Sequence, residues 1–286
     1  MQKLWQIFRT SPAPLRLGLF FVTLALIWLP FAIPIYLIFR ADENLTTILT
    51  MSLVFIEFLF YLPFWVKKVH GETQPFRRYG LVWTRANGVG LLKGLAYGFS
   101  FTWGLLIFED LLGLINILPP TSGLIRFVLE GSLTGLGVAF AEELVFRGWL
   151  YDELERDYSP NIVLWGSAVT FGVSHFLKPW EEMIRTLPVL PGLVLLGATL
   201  VWARRSQRGN LGKPIGLHGG LVWGYYIFNV GGLIEYREDI SPWITGVDGN
   251  PLGGLLGILF LGGLAGLMWR GARQMALKTQ SRNAEN

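Results

Sequence analysis

The sequence predicts an all-α fold: a polytopic integral membrane helical bundle of about eight transmembrane helices, with both termini in the cytoplasm. Three observations lead to this prediction. Of the 286 residues, 52% are hydrophobic and only 15% are charged, against about 25% charged in an ordinary soluble domain. The mean hydropathy is +0.45. The apolar residues also fall into runs of about 20, the length that a helix needs to cross a bilayer.

Eight such runs are predicted to span the membrane. The first is bounded by Arg16 and Arg40 and contains Pro30 and Pro34, which are expected to kink it. The predicted spans are 17–39, 46–66, one within 89–119, 125 to beyond 149, 161–176, 187–203, 215–230 and 252–269.

The basic residues give the predicted orientation. With the N-terminus in the cytoplasm, most of the 24 lysine and arginine residues fall in cytoplasmic segments, as the positive-inside rule requires. This distribution also explains the sequence pI of about 9.4. We therefore expect membrane lipid, and no nucleic acid, as a partner. The chain is expected to be a multi-pass protein of the plasma (inner) membrane or of another internal membrane.

The chain is predicted to divide into three segments. Residues 1–110 hold N-terminal transmembrane helices, about three spans; 111–235 form the core; 236–286 hold a C-terminal transmembrane helix and a short polar tail. Small residues predict close helix packing in the fourth and eighth spans. These residues are Gly131, Gly135, Ala139 and the nearby Gly137 in the fourth span and Gly262 and Gly266 in the eighth.

Charged residues inside a span are costly, so each one is a candidate for function. The fourth span contains Glu142-Glu143-Leu-Val-Phe-Arg147. Glu143 and Arg147 are four residues apart, so they share a helix face and are predicted to form an ion pair. Glu142 is rotated by about 100° from Glu143 and is free to face a cavity. The alternative is that both glutamates form a buried polar cluster that only holds helices together.

Two of the three histidines, His175 and His218, lie in predicted spans. The turn at Tyr158-Ser159-Pro160 is midway between Glu142 and His175. An antiparallel helix pair therefore brings these two residues to one level, about 24 Å from the turn. The charged stretch 152–157 next to the turn is expected to project into the cytoplasm.

These side chains predict hydrolytic chemistry. A carboxylate opposite a neutral imidazole can hold a water molecule and accept its proton, and a second imidazole can stabilise an oxyanion. Cysteine is absent, which excludes a cysteine nucleophile, a thiolate metal site and disulfide bonds.

The motifs resemble those of the CPBP intramembrane proteases, also called the CAAX protease/bacteriocin-immunity or Abi family, which include the type II CAAX prenyl endopeptidases. The EExxxR motif begins at Glu142, the FxxxH motif runs from Phe171 to His175, and the third motif begins at His218. The resemblance covers about 125–230. It implies a membrane-embedded endopeptidase that hydrolyses a peptide bond near the cytoplasmic face of the membrane. Its substrate would be a peptide or protein, which is lipidated in the family's eukaryotic use.

The resemblance also implies roles for five residues. Glu142 would be the water-activating base, with His175 assisting it. Glu143 and Arg147 would orient the site, and His218 would stabilise the oxyanion.

The third motif departs from the family pattern, which is HxxxN or HxxxD. Position 222 is valine. Asn229 shares a helix face with His218 but lies about 16 Å away along the helix, so it cannot substitute directly. A peptide N–H, the backbone of Gly219 and Gly220 or another helix could supply the missing donor; otherwise catalysis is weak or absent.

Three alternatives to a metal-free peptidase stay open. Glu142, His175 and His218 together match the one-carboxylate, two-imidazole ligand set of a catalytic zinc; no other cofactor is expected. Val222 also fits a catalytically degenerate membrane scaffold or immunity protein. A transporter would use intramembrane carboxylates as an ion path, but no repeat halves are visible in the sequence. Those carboxylates are Glu57, Glu109 and Asp110.

Overall fold

A computed structural model describes residues 2–120 and 122–284. Two compact units are distinguished by their internal contacts. Unit 1 is the chain up to Arg78 together with Asp152–Tyr158, and unit 2 is Tyr79–Tyr151 together with the chain from Ser159 onward. The predicted division into three segments stays a prediction.

The described residues are mostly helical, as predicted. The helices are α1 (Gln2–Thr10), α2 (Ala13–Phe39), α3 (Glu43–Trp65), α4 (Pro75–Arg78), α5 (Arg85–Leu111), α6 (Leu124–Glu143), α7 (Tyr151–Glu155), α8 (Pro160–Ser174), α9 (Trp180–Thr186), α10 (Leu190–Arg205), α11 (Gly212–Asn229), α12 (Pro242–Thr245) and α13 (Leu255–Ala284). Two π-helical segments, Val66–His70 and Leu144–Leu150, continue α3 and α6, and two short 3₁₀ turns are Leu187–Val189 and Pro251–Gly253.

The prediction of an all-α fold missed one small sheet. Strands β1 (Ile115–Ile117) and β2 (Ile234–Tyr236) form an antiparallel pair in which Ile115 lies opposite Tyr236. Asp110 at the end of α5 accepts a 2.8 Å hydrogen bond from the backbone N–H of Ile117, so its side chain anchors this strand pair to the helix.

Among the described residues, six helices are long and apolar enough to cross a membrane. They are Ala13–Phe39, Glu43–His70, Arg85–Leu111, Leu124–Glu155, Trp180–Arg205 and Leu255–Ala284. The other two predicted spans correspond to α8, with 15 residues, and α11, with 18 residues. The chain is therefore a multi-span integral membrane protein, while the count of eight and the cytoplasmic termini stay predictions.

Unit 1 is built around aromatic residues where α2 and α3 pack. The ring of Phe20 lies 5.0 Å from the ring of Trp65 in an edge-on arrangement, and both side chains are fully buried. Such edge-on pairs add to the stabilisation from apolar burial.

A buried carboxylate ties the ends of these helices together. Glu153 is fully buried and accepts 2.8 Å hydrogen bonds from Trp65 Nε1, His70 Nε2 and Arg16 Nε. Glu153 is thus not in contact with solvent, and the expectation that 152–157 projects into the cytoplasm stays a prediction. The Arg16 guanidinium compensates the negative charge of Glu153 inside unit 1. Without such a partner, burying the carboxylate would cost about 3 kcal/mol or more.

Unit 2 is organised by the very close approach of α5 and α11. The Cα of Gly216 lies so near α5 that a Cβ there would overlap the carbonyl oxygen of Leu91, and a Cβ at Gly98 would overlap that of Leu217. Glycines recur every four residues on both helices, which lets two backbones meet as in small-xxx-small packing. These glycines are Gly90, Gly94 and Gly98 on α5, and Gly212, Gly216, Gly220 and Gly224 on α11.

The glycines predicted to support packing have two outcomes. In α6, a Cβ at Gly131 or Gly135 would contact Trp223 of α11, which confirms close packing there, whereas nothing described lies within 4 Å of a Cβ at Gly137. In α13, nothing described lies within 4 Å of a Cβ at Gly262 or Gly266. The prediction of close packing at these two residues is therefore wrong within the described structure.

Candidate active site

The candidate site lies in unit 2, where the end of α6 meets α8 and α11. After Glu143 the helix widens into the π-helical segment Leu144–Leu150. Ser167 Oγ of α8 donates a 3.1 Å hydrogen bond to the carbonyl oxygen of Phe146, which gives this carbonyl a partner from another helix. Short π-helical segments are frequent at functional sites, and this one contains Arg147.

The predicted ion pair between Glu143 and Arg147 is confirmed. Arg147 Nη1 lies 3.0 Å from Glu143 Oε1, and both side chains are fully buried. Arg147 Nη2 also donates to the carbonyl oxygen of Gly197 in α10, at 3.1 Å. The guanidinium therefore links α6 to α10 and holds the Glu143 carboxylate in one position.

His218 of α11 joins this pair. Its Nδ1 lies 2.9 Å from Glu143 Oε1, the same oxygen that accepts from Arg147. Because a carboxylate accepts hydrogen bonds, Nδ1 carries the proton in this contact. The opposite ring nitrogen, Nε2, then faces Glu142 Oε2 at 3.9 Å.

His175 faces the same Glu142 oxygen from α8. Its Nε2 lies 4.0 Å from Glu142 Oε2, while its Nδ1 lies 2.8 Å from the carbonyl oxygen of Phe171. A carbonyl only accepts, so Nδ1 carries the proton and a neutral ring has its lone pair on Nε2. The hairpin argument thus correctly predicted that Glu142 and His175 would meet.

Phe171 packs between the charged and the imidazole groups. Its ring centroid lies 4.7 Å from that of His175 and 6.0 Å from that of His218, in edge-on arrangements. The Arg147 guanidinium lies 4.2 Å from the same centroid, within the range of a cation–π contact. Phe171 therefore shields one side of both imidazole rings from water.

The five predicted site residues differ in exposure. Glu143 and Arg147 are fully buried, and the His218 side chain is 6% exposed. Glu142 and His175 are 28% and 33% exposed. The structure thus brings all five together, with the ion pair of Glu143 and Arg147 fully buried, His218 nearly buried, and Glu142 and His175 partly exposed.

An apolar cavity of about 260 Å³ adjoins the two histidines. Most of its lining is leucine and phenylalanine from α5, α8, α10, α11 and α13, and Val222 is part of it. The polar side chains that line it besides the histidines are Thr102, Tyr225 and Asn250. These three residues were not among the predicted site residues, since nothing in their local sequence pattern marks them.

The spacing of the possible metal ligands can be compared with a zinc site. Ligands of a tetrahedral zinc with bonds of 2.0–2.1 Å lie about 3.3 Å apart, whereas Glu142 Oε2 lies 4.0 and 3.9 Å from the two Nε2 atoms. Within the described part of the chain, no group of three or more His, Asp or Glu side chains could hold a metal ion. These residues do not fit a metal as arranged, and a zinc-dependent peptidase stays a prediction.

Comparison with known protein families gave a match over the segment that holds the site. Residues 124–224 match the family described as Type II CAAX prenyl endopeptidase Rce1-like. This segment contains α6, α8, α10 and all five predicted site residues. No curated protein and no solved structure matches the chain.

Proposed function

We propose that the chain, whose residues 124–224 match the CAAX protease family, is an intramembrane endopeptidase in which Glu142 and His175 activate water for peptide-bond hydrolysis. The observation that carries the proposal is the position of Glu142 Oε2, 4.0 Å from His175 Nε2 and 3.9 Å from His218 Nε2. These distances are too long for direct hydrogen bonds. A water molecule between the groups could donate one hydrogen bond to Glu142 Oε2 and one to His175 Nε2.

The first step is proton transfer from water. Glu142 Oε2 is buried and has no hydrogen-bond partner among the described residues, so its lone pairs are available to such a water. As the water oxygen attacks the substrate carbonyl carbon, its proton passes to Glu142. His175, whose lone pair faces the same point, orients the water.

The second step is stabilisation of the oxyanion formed by that attack. His218 is fixed by its hydrogen bond to Glu143, which in turn is fixed by Arg147. When His218 Nε2 carries a proton, it can donate to the oxyanion without any reorganisation. Collapse of the intermediate breaks the C–N bond, and the proton held by Glu142 passes to the leaving amine.

The proposed substrate is a peptide or protein with an apolar part that enters the membrane. The cavity beside His175 and His218 is lined almost wholly by apolar side chains, and such a surface favours an aliphatic or lipidated chain. Cleavage near the cytoplasmic face follows from the orientation that the basic residues predict.

The test is cleavage of a synthetic peptide that ends in farnesyl-cysteine, two aliphatic residues and a variable residue. Purified protein in lipid nanodiscs is compared with the Glu142→Gln variant by mass spectrometry of the products. Glu142→Gln keeps the size of the side chain but removes the base, so the rate is expected to fall by about 10²- to 10⁴-fold.

Glu130→Gln is the matched control. Glu130 lies on the same helix, about three turns before Glu142, and interacts with Arg126 at the surface. Wild-type activity is expected in this variant. Full cleavage by folded Glu142→Gln protein would refute Glu142 as the base. Other substrates can be found by substrate trapping. Membrane proteins that co-purify with Glu142→Gln but not with wild type are identified by proteomics.

A further inference from the structure

The apolar cavity beside the histidines contains one polar group that is not used elsewhere. Of its polar residues, Thr102 donates to the carbonyl oxygens of Gly98 and Leu221, both at 3.2 Å. Tyr225 donates to the carbonyl oxygen of Gly249 at 2.8 Å. These two hydroxyl protons are therefore committed to the protein itself.

Asn250 differs from both residues. Its Oδ1 accepts a 3.0 Å hydrogen bond from the backbone N–H of Leu252. Because an N–H donor requires an oxygen acceptor, this contact fixes which end of the amide is Oδ1. The other end, Nδ2, makes no hydrogen bond to any residue within 2–120 or 122–284, although Asn250 lines the cavity. Nδ2 thus has two uncommitted N–H donors.

The loop that carries Asn250 is held firmly. The Asn250 backbone donates to Val247 at 2.9 Å and accepts from Gly253 at 3.0 Å. The preceding carbonyl, that of Gly249, accepts from the hydroxyls of Tyr225 and Tyr236 at 2.8 and 2.9 Å.

Burial raises the pKa of Tyr236, and its neighbours Tyr225 and Glu109 add to this effect. The Tyr236 hydroxyl therefore stays protonated and keeps its hydrogen bond to the loop. The Nδ2 donor is consequently held in place before any ligand binds, which lowers the entropy cost of using it.

A peptide in this cavity needs such a donor. Each peptide carbonyl that leaves water without a hydrogen-bond partner costs about 1–3 kcal/mol. On α11, Val222 occupies the position at which an asparagine would have supplied a hydrogen-bond donor. We propose that Asn250 Nδ2 donates a hydrogen bond to a backbone carbonyl oxygen of the bound substrate and so positions its chain beside His175 and His218. This inference rests on the proposed peptidase function, and it makes Asn250 a substrate-positioning residue.

The test compares Asn250→Asp with Asn250→Ala. Aspartate keeps the shape and the oxygen that accepts from Leu252, so the loop is preserved, but the ionised carboxylate has no donor. The measured quantity is kcat/KM for the farnesylated peptide, relative to wild type at each pH. At neutral pH, kcat/KM of Asn250→Asp is expected to be about 10- to 100-fold lower than that of wild type, mainly because KM rises. The carboxylate replaces a hydrogen-bond donor with an acceptor that repels the substrate carbonyl oxygen.

A pH series separates the donor role from a structural one. When the carboxyl group introduced by Asn250→Asp becomes protonated, its O–H can donate again. Asn250→Asp should therefore regain activity relative to wild type as the pH falls, whereas Asn250→Ala should not. Asn229→Asp is the matched control, since Asn229 is exposed at the end of α11 and should behave as wild type. Equal kcat/KM in wild type and in folded Asn250→Asp and Asn250→Ala proteins would overturn the inference.

Binding in a Glu142→Gln background distinguishes this inference from the proposed function. Fluorescence polarisation of a labelled farnesylated peptide gives Kd for Glu142→Gln with and without Asn250→Asp. Weaker binding with Asn250→Asp supports the positioning role even if wild type proves unable to cleave the peptide. Cleavage by wild type, combined with a Kd unaffected by Asn250→Asp, refutes the positioning role and leaves the peptidase proposal intact.

Discussion

Glu143 and His218 are joined by a 2.9 Å hydrogen bond between Oε1 of the carboxylate and Nδ1 of the imidazole, and neither side chain is more than 6% exposed. The same oxygen accepts from Arg147. A buried carboxylate that binds one ring nitrogen fixes both the orientation of the imidazole and the nitrogen that faces the substrate. Here the nitrogen left unbound by Glu143 is Nε2, 3.9 Å from Glu142 Oε2, and it is the one that the proposed function assigns to the substrate.

Removing the charge of Glu143 is therefore expected to reduce activity without removing the base. In Glu143→Gln, His218 loses its charged partner and the buried Arg147 loses the carboxylate that it hydrogen-bonds. We expect kcat to fall by about 100-fold and the melting temperature of the detergent-purified protein to fall as well, since a broken buried ion pair costs about 3–5 kcal/mol.

Glu143→Asp provides the conservative comparison, because it keeps the charge while withdrawing the carboxylate by one methylene. This variant should retain more activity and a higher melting temperature than Glu143→Gln. Wild-type kcat in Glu143→Gln would contradict the positioning role of Glu143.

Glu153 is expected to control the stability of unit 1. It is fully buried and accepts hydrogen bonds from Arg16, Trp65 and His70. Glu153→Ala leaves these donors without this acceptor and removes a buried partner of the Arg16 guanidinium. We therefore expect the free energy of unfolding to fall by about 3–5 kcal/mol and the melting temperature to be clearly lower. Glu155→Ala, at an exposed position on the same short helix, should change little; similar melting temperatures for the two variants would refute the buried role.

The contrast between these two carboxylates shows what the sequence could predict. The contact between Glu143 and Arg147 follows from a spacing of four residues in one helix, and that of Glu142 with His175 follows from one hairpin with a recognisable turn. The partners of Glu153 named above are 83 to 137 residues away in the chain, and most of the residues around it in sequence are charged, as in a solvated turn. No local pattern indicates such a burial.

Some backbone features could not be predicted from the sequence either. The widening of the helix after Glu143 and the bond from Arg147 to the Gly197 carbonyl depend on how α6, α8 and α10 pack together. Asn250 reaches the cavity through a loop whose path is set by tertiary contacts. The glycine stripes of α5 and α11, in contrast, leave a signal in the sequence, because glycine recurs every four residues on both helices.

Metal removal is expected to leave activity unchanged. Glu142 Oε2 lies 3.9 and 4.0 Å from the two imidazole nitrogens, while the ligands of a tetrahedral zinc lie about 3.3 Å apart. Cleavage of the farnesylated peptide is measured before and after treatment with a chelator, and the metal content of the same samples is determined by mass spectrometry. Loss of activity with the chelator and its recovery on adding stoichiometric zinc would establish the metal-dependent alternative.

The close contact of α5 and α11 is expected to be necessary for activity, because it sets the position of His218. Gly216 lies two residues before His218, and a Cβ at Gly216 would overlap the Leu91 carbonyl oxygen and lie 2.8 Å from the Leu95 nitrogen. Gly216→Ala must push the helices apart, so we expect a loss of about 1–3 kcal/mol of stability and a fall in kcat.

Gly137→Ala is the matched control, since nothing described lies within 4 Å of a Cβ there, and alanine favours the helix by about 1 kcal/mol over glycine. The melting temperature should therefore fall in Gly216→Ala and not in Gly137→Ala, and peptide cleavage should fall only in Gly216→Ala. If Gly216→Ala were as stable and active as Gly137→Ala, the glycine contact would not be what positions His218.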